Sequence, residues 1–299
     1  MWNNQEHVEA YYAVPAMGAV VHPLNIRLAV EQIAFIANHA EDRVVIVDAT
    51  LLPVFAAVVP HLKTVEHVVI SGDGTLDTTI PVHDYQRLLA GCPDTYPWPD
   101  TDERQAAAMC YTSGTTGDPK GVVYSHRSIY LHALAVSLPD VFDLSARDRL
   151  LAVVPQFHVL AWGLPYAAFL TGAALVQPDR FLGAAPLAEF IAAARPTKAA
   201  GVPTIWQALL GHLDATPTAD VSSLKEAIVG GSACPPALME AFKRRYGITL
   251  VHAWGMTEMS PLGSLARPPA GADPEQAMRH RLTQGRFPAT SARSAPTGT

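Results

Sequence analysis

Cysteine is scarce in this chain, occurring three times among 299 residues, at Cys92, Cys110 and Cys234. No two of them form a C-x-x-C pair, so a zinc knuckle is excluded and nothing points to a disulfide framework. The N-terminal segment MWNNQEHVEAYY carries acidic residues where an export signal carries basic ones. We therefore expect a protein of the reducing cytoplasm.

Basic runs are missing as well, and the formal net charge is −6. Nucleic-acid binding depends on a basic face that displaces counterions, so we expect no nucleic-acid partner. With 49% hydrophobic and 16% charged residues, the composition is that of a globular protein. Its length allows one large domain or two ordinary ones.

One long stretch has no charge at all, between Arg149 and Asp179. Its length raises the question of a membrane span. Prolines and glycines interrupt it, at Pro155, Gly163, Pro165 and Gly172. We interpret it as a buried strand, a core helix and a second buried strand, and expect no membrane span.

Short apolar runs alternate with segments of helical periodicity along most of the chain. The predicted strands are 44–48, 67–71, 107–113, 150–155, 173–178, 198–203, 227–231 and 248–254. The predicted helices are 30–39, 128–138, 186–195, 204–213 and 235–246. This alternation predicts an α/β fold with buried, largely parallel sheets flanked by helices. In such folds ligands bind at the carboxyl ends of the strands.

The segment CYTSGTTGDPKGVVYSH (110–126) is the first motif. Its glycines let a ligand approach the backbone, its hydroxyls and N–H groups donate hydrogen bonds, and Lys120 adds a positive charge. This inventory suits a polyphosphate, and a flexible linker is the alternative. A Walker loop is excluded, because Pro119 and Gly121 stand where that motif needs Gly and Ser or Thr.

YTSGTTGDPKG resembles the phosphate-binding signature of the adenylate-forming (AMP-binding) enzymes, which include acyl-CoA synthetases, aryl-CoA ligases, luciferases and peptide-synthetase adenylation domains. VHAWGMTEMSP (251–261) resembles the second signature of that family: an aromatic residue, Gly, an apolar residue, Thr and Glu. The resemblance runs from about His7 to Arg286. The segments NNQEHVEAYYAVPAMGAVVHPLN and AWGMTEMSPLG are similar to medium- and long-chain fatty-acyl-CoA synthetases.

The resemblance implies which part of the family's fold this chain contains. We expect the large N-terminal-domain portion of the adenylate-forming fold, with residues 1–286 as a partial AMP-binding domain. The small C-terminal domain, whose lysine drives adenylation in the family, is absent from the sequence, and elements before the first residue are missing too. The ending FPATSARSAPTGT (287–299) should be a disordered tail that does not belong to the family.

The resemblance also implies site residues. The catalytic residues would be Lys120, Thr257, Glu258 and His158, with Thr112 and Glu258 holding Mg²⁺. The phosphates of ATP would lie against Thr112, Ser113, Gly114, Thr115, Thr116, Gly117 and Lys120. The rest of the nucleotide would contact Gly231, Ser232, Ala233, His252, Ala253, Trp254, Gly255, Met256 and Thr257. The acyl pocket would include His158, Leu160, Trp162 and Leu164.

Each of these segments has a plainer interpretation. WGMTE and VGGSACP can be ordinary turns between a strand and a helix. His158 can be a hydrogen-bonded core histidine, and Leu160, Trp162 and Leu164 can be core packing.

For function, the resemblance implies ATP-dependent, Mg²⁺-assisted activation of a fatty acid through an acyl-adenylate to a coenzyme A thioester. A homodimer or a second polypeptide carrying the C-terminal domain would complete the enzyme. A catalytically inactive nucleotide-binding remnant and an aryl-acid CoA ligase are the alternatives.

Overall fold

The computed structural model describes residues 1–112 and 118–287, which divide into two compact units. The first unit comprises residues 1–128 together with 155–161, and the second comprises residues 129–154 and the chain from Trp162 onward.

The first unit contains two small sheets. Its helices are α1 (Gln5–Ala16), α2 (Val30–His39), α3 (Leu52–Val58) and α4 (Tyr85–Ala90), with single 3₁₀ turns at Ala49–Leu51 and Val59–His61. Its strands are β1 (Val44–Asp48), β2 (His67–Ser71), β3 (Val82–Asp84), β4 (Ala106–Tyr111) and β5 (Gly121–Ser125). Strands β1, β2 and β3 form a parallel sheet in that order, and β4 pairs with β5 in antiparallel fashion. Helices α2 and α3 bury Ile33, Phe55 and Val58 against Val68 and Ile70 of β2.

Helix α1 holds the returning segment 155–161 within the first unit. The side chain of Asn4 caps α1 by accepting a hydrogen bond from the backbone N–H of His7. One turn into the helix, the buried hydroxyl of Tyr11 donates to the carbonyl of Gln156. The N–H of Gln156 in turn donates to Oδ1 of Asn3 at 2.9 Å. These contacts fix the backbone just before His158.

The second unit is a six-stranded sheet with helices on both faces. Its strands are β6 (Arg149–Ala152), β7 (Ala174–Val176), β8 (Lys198–Gly201), β9 (Glu226–Val229), β10 (Thr249–Gly255) and β11 (Leu262–Leu265). The helices are α5 (His126–Ser137), the single turn α6 (Val159–Trp162), α7 (Leu164–Thr171), α8 (Ala184–Ala194), α9 (Pro203–Ala215), α10 (Pro236–Tyr246) and α11 (Pro274–Arg281); α5 and α6 each begin in the first unit. The strand order is β11-β10-β9-β8-β6-β7, and only the β10–β11 pairing is antiparallel.

The residues inside these strands are mostly apolar because both faces of the sheet are buried. Successive side chains of a strand point to opposite faces. Leu151 accordingly packs with Trp206 and Phe242, while its neighbour Leu150 packs with Phe142 on the other face. The predicted α/β fold with largely parallel, buried sheets is therefore confirmed.

The stretch that raised the membrane question forms β6, α7 and β7, as the sequence predicted. Within the described part of the chain, no helix is both long enough and apolar enough to cross a membrane. The prediction for the tail concerns residues that, apart from Phe287, lie outside the described ones.

Candidate active site at the carboxyl edge of the second sheet

Three neighbouring parallel strands of the second unit end at the same edge. Gly201 of β8 and His252 of β10 both pair with Val229, the last residue of β9. The segments that follow β9 and end β10 therefore leave the sheet side by side. These are residues 230–233 and 253–258, and they contain all the residues predicted to contact the nucleotide in this unit (231–233 and 252–257) except His252.

Glycines allow these segments to pack closely. A Cβ on Gly230 would lie 3.0 Å from the carbonyl oxygen of Ala253 and 3.1 Å from Cη2 of Trp162. Gly231 has φ of +83°, and a Cβ there would lie 3.3 Å from Cγ1 of Val202. A larger residue at Gly230 would push the two segments apart, and one at Gly231 would press against Val202. The structure thus brings Gly231, Ala253 and Trp162 together.

The remaining residues of these segments are mostly exposed. Ser232 and Ala233 are exposed and precede the buried Cys234 and helix α10. Trp254, Gly255 and Met256 are also exposed, so an incoming ligand can reach them. Such exposed small and aromatic groups at a strand edge fit a ligand-binding surface.

The turn Thr257–Met259 carries the predicted magnesium carboxylate. Glu258 is exposed and forms no ion pair with any other residue that the structure describes. The turn is closed by a hydrogen bond from the N–H of Met256 to the carbonyl of Pro261, at 3.0 Å. An uncommitted carboxylate on a fixed turn fits a magnesium ligand, since Mg²⁺ prefers oxygen donors.

His252 differs from its neighbours in the motif. It is buried, and its Nδ1 donates to the carbonyl of Thr283 at 3.2 Å. This bond ties β10 to the segment 282–286, whose Arg286 pairs with Leu265 on the outer edge of β11. His252 therefore holds β10 in place, and its imidazole is hydrogen-bonded inside the protein.

The role of His132 was not predicted from the sequence. This buried residue of α5 accepts a hydrogen bond at Nε2 from the N–H of Leu262, at 3.2 Å. Burial lowers its pKa to about 4, which keeps the imidazole neutral and able to accept. Leu262 begins β11, directly after the loop that carries Glu258, so His132 anchors the far end of that loop.

The flanks of the phosphate loop belong to the first unit. The N–H of Thr112 donates to the carbonyl of Lys120 at 3.0 Å, which extends the pairing of Tyr111 with Gly121. Lys120 is exposed and forms no ion pair with the residues described. The other predicted loop residues, Ser113, Gly114, Thr115, Thr116 and Gly117, lie outside the described residues.

A polar network fixes the tyrosine that precedes this loop. The hydroxyl of Tyr111 bonds Nδ1 of His39 at 2.6 Å, and His22 bonds the carboxylate of Asp42 at 2.9 Å. Burial, and secondarily the charge of Asp42, raise the pKa of Tyr111. A Cβ on Gly121 would lie 3.1 Å from the Tyr111 ring, so the ring lies against the first residue after Lys120. Sequence reasoning missed this support.

The predicted acyl-pocket residues are divided between the units. His158 is exposed, which does not fit a core histidine, and desolvation followed by the charge of Arg27 lowers its pKa. Leu160 is buried in the left-handed turn α6 of the first unit. Leu164 is fully buried in the core of the second unit, which agrees with the packing interpretation. Trp162 is half-buried against Gly230.

Known proteins share this sequence and fold. The family model of AMP-binding enzymes matches residues 1–293. The chain is 45% identical over 293 residues to a medium-chain-fatty-acid–CoA ligase of Ectopseudomonas oleovorans, covering 96% of this chain and 54% of that one. It is 46% identical to a 3-methylmercaptopropionyl-CoA ligase of Ruegeria pomeroyi, with the same coverage. Among solved structures, an anthranilate CoA ligase shares the fold, with a TM-score of 0.85, 24% identity and coverage of 97% and 54%.

The α/β fold of this chain is thus one that a solved CoA ligase also has. The chain belongs to the AMP-binding enzyme family. It spans about half the length of the curated relatives that it matches.

Proposed function

We propose that this chain carries the ATP site of an acyl-CoA synthetase that activates a fatty acid. The observation that supports this most strongly is the position of residues 230–233 and 253–258. They leave adjacent strands at the carboxyl edge of a parallel sheet, where ligands of such folds bind. The proposal for the full reaction includes the remaining length of the relatives, whereas MgATP binding is proposed for this chain itself.

The reaction has two steps in this proposal. A carboxylate oxygen of the acid attacks the α-phosphorus of ATP, a new P–O bond forms, and pyrophosphate leaves with the electrons of the broken bond. The thiolate of coenzyme A then attacks the acyl carbon, and AMP leaves with the electrons of the C–O bond. The thiol proton passes to solvent. No protein nucleophile takes part, so the site acts by positioning and charge neutralisation.

Each proposed residue has one task. Lys120 neutralises the β- and γ-phosphates, and Thr257 steadies the α-phosphate. Thr112 and Glu258 would hold Mg²⁺, which would supply positive charge against the phosphate oxygens. Trp254 and Gly231 border the adenine. His158 lies between the acid and the nucleotide.

For the acid, we propose a medium-chain or longer fatty acid. The proposal rests on the relative of Ectopseudomonas oleovorans, whose name gives a medium-chain fatty acid as its substrate. All three cysteines are free thiols, which fits a reducing compartment, and we place the reaction in the cytoplasm.

Isothermal titration of the purified chain with MgATP tests the proposal. We expect saturable binding that Lys120→Ala and Glu258→Ala each weaken at least about tenfold, since each removes a charge that faces phosphate or metal. Lys63→Ala and Glu240→Ala are matched controls, because both residues are exposed and lie outside the proposed site. The controls should bind like the wild type. The proposal is wrong if the folded wild type shows no binding, or if the site variants bind as well as the controls.

A further inference from the structure

The pairing of β10 with β11 contains a bulge at Gly263. Ala253 pairs with Leu265 and Trp254 with Ser264, but Gly255 then pairs with Leu262. Gly263 is therefore the extra residue of β11, opposite the step from Trp254 to Gly255. Bulges of this kind bend a strand and change the direction of neighbouring side chains, often beside functional sites.

The indole of Trp254 occupies the space that the missing side chain of Gly263 leaves. A Cβ on Gly263 would lie 2.5 Å from Cζ3 and 2.6 Å from Cε3 of Trp254, and 3.0 Å from the methyl carbon of Met259. The two distances to the indole are too short for any real Cβ. The six-membered ring of the indole thus rests on the backbone at Gly263, and every other residue at this position would displace it.

The same tryptophan remains open to solvent. Its exposed fraction is 37%, so part of the indole is supported by Gly263 while another part is available to a ligand. A large aromatic side chain held in one orientation at the carboxyl edge of a sheet is suited to stacking on a planar base. Stacking between a base and an aromatic side chain contributes roughly 5- to 150-fold to affinity.

We propose that Gly263 is a positioning residue that sets the indole of Trp254 for stacking on the purine of ATP. Gly263 and Trp254 form a matched pair: the fused ring of tryptophan needs the glycine, whereas the single ring of tyrosine lacks the atoms Cε3 and Cζ3 that lie on it. This inference rests on the proposed function and adds the residue that determines how the base is held.

The first arm of the test separates the base from the phosphates. Gly263→Ala is titrated with MgATP and with magnesium tripolyphosphate, which has the phosphates but no base. We expect MgATP affinity to fall at least about tenfold, with tripolyphosphate affinity unchanged within about twofold. Gly211→Ala is the matched control, since a Cβ at Gly211 meets nothing within 4 Å. It should bind both ligands like the wild type.

The second arm asks whether the two positions are coupled. In a chain that already carries Trp254→Tyr, we expect Gly263→Ala to change MgATP affinity by less than about threefold. The effects of substitutions at two residues in contact are not additive, so the loss caused by Gly263→Ala should depend on the tryptophan. The inference is overturned if Gly263→Ala leaves MgATP binding unchanged, if both ligands lose affinity equally, or if the loss is as large beside tyrosine. If the wild type itself binds no MgATP, the proposed function fails together with this inference.

Discussion

Nε2 of His132 accepts a hydrogen bond from the backbone N–H of Leu262, across 130 residues of sequence. Because Nε2 accepts, the ring proton of the neutral imidazole is on Nδ1. Nδ1 faces Gly163, where a Cβ would lie 2.6 Å away. One buried histidine therefore joins α5, the glycine before α7 and the start of β11, at the end of the loop that carries Glu258.

This bond makes stability sensitive to acid. The pKa of His132 is lowered from 6.5 to about 4 by burial, so between these values the unfolded chain binds a proton that the folded chain does not. The contribution of His132 is complete above pH 6.5 and is lost as the pH falls towards 4. The linkage amounts to about 3 kcal/mol over that interval.

His132→Gln checks this, since its amide oxygen can replace Nε2 as the acceptor but does not titrate. The free energy of unfolding, from urea titrations at pH 7 and pH 5, should fall less steeply with acid in the variant than in the wild type. Buried His7, with a pKa lowered to about 3, retains its own share in both proteins. Equal acid dependence in the two proteins would contradict the role of His132.

Gly163→Ala should destabilise the second unit. Gly163 has φ of +72°, a conformation that costs alanine about 1 kcal/mol, and the new methyl group would also collide with Nδ1 of His132. We expect a total loss of about 2 kcal/mol or more, seen as a lower Tm in calorimetry. Gly211→Ala, which has neither constraint, should not lower the Tm. A Gly163→Ala protein as stable as the wild type would refute the packing described here.

Arg267 and Glu226 form a partly buried ion pair whose loss should be costly. The guanidinium makes two contacts with the carboxylate, at 2.8 and 2.9 Å, and also donates to the carbonyl of Val141. The side chains are only 22% and 14% exposed, so removing one leaves the other partly buried and unpaired. Arg267→Ala should therefore destabilise the chain by about 3 kcal/mol.

An exposed pair provides the control for this prediction. Arg43 and Glu66 make a bidentate contact of similar length, but their side chains are 71% and 51% exposed. Arg43→Ala should change the free energy of unfolding far less than Arg267→Ala does, because solvent screens an exposed pair. If the two substitutions lowered the free energy of unfolding equally in urea titrations, burial would not determine how much an ion pair stabilises this chain.

Much of the fold could be predicted from the sequence. Fully apolar strands with helical segments between them define a buried parallel sheet, and the helix predicted at 30–39 has those bounds in the structure. Pro236 begins α10, and Gly247 ends it with φ of +71°, as their residue types indicate. The chain from Ala266 onward was less informative, and α11 was missed although Asp273 and Gln276 form a capping box.

Other elements escaped prediction for physical reasons. Strand β3 has three residues, too few to show a period, and β11 contains a glycine and a serine in its four residues. Each of these strands forms because it pairs with a neighbouring strand, and its own sequence does not indicate this pairing. The bond between His132 and Leu262 and the bulge at Gly263 depend on the register of distant strands, which no local pattern encodes.

The candidate site, like the fold, could be predicted only in part from the sequence. The strand pattern predicts that residues 230–233 and 253–258 lie at one edge, because the carboxyl ends of parallel strands meet there. Leu164 was predicted to line the acyl pocket, with core packing as the alternative, and its burial agrees with that alternative. The exposure of His158 was open until the structure was known. The roles given to Lys120, Thr257 and Glu258 remain predictions.

The central claim is that a carboxylic acid and ATP meet in one site, and one titration tests it most directly. A stable acyl-adenylate analogue, with an octanoyl chain joined to adenosine by a sulfamate, is titrated into the chain beside AMP and octanoate. The analogue carries the acid and the nucleotide in one molecule, so the second part binds without a separate association step. We therefore expect the analogue to bind at least about a hundredfold more tightly than AMP. Binding no tighter than that of AMP, in a folded chain, would contradict the claim that this family member joins an acid to a nucleotide.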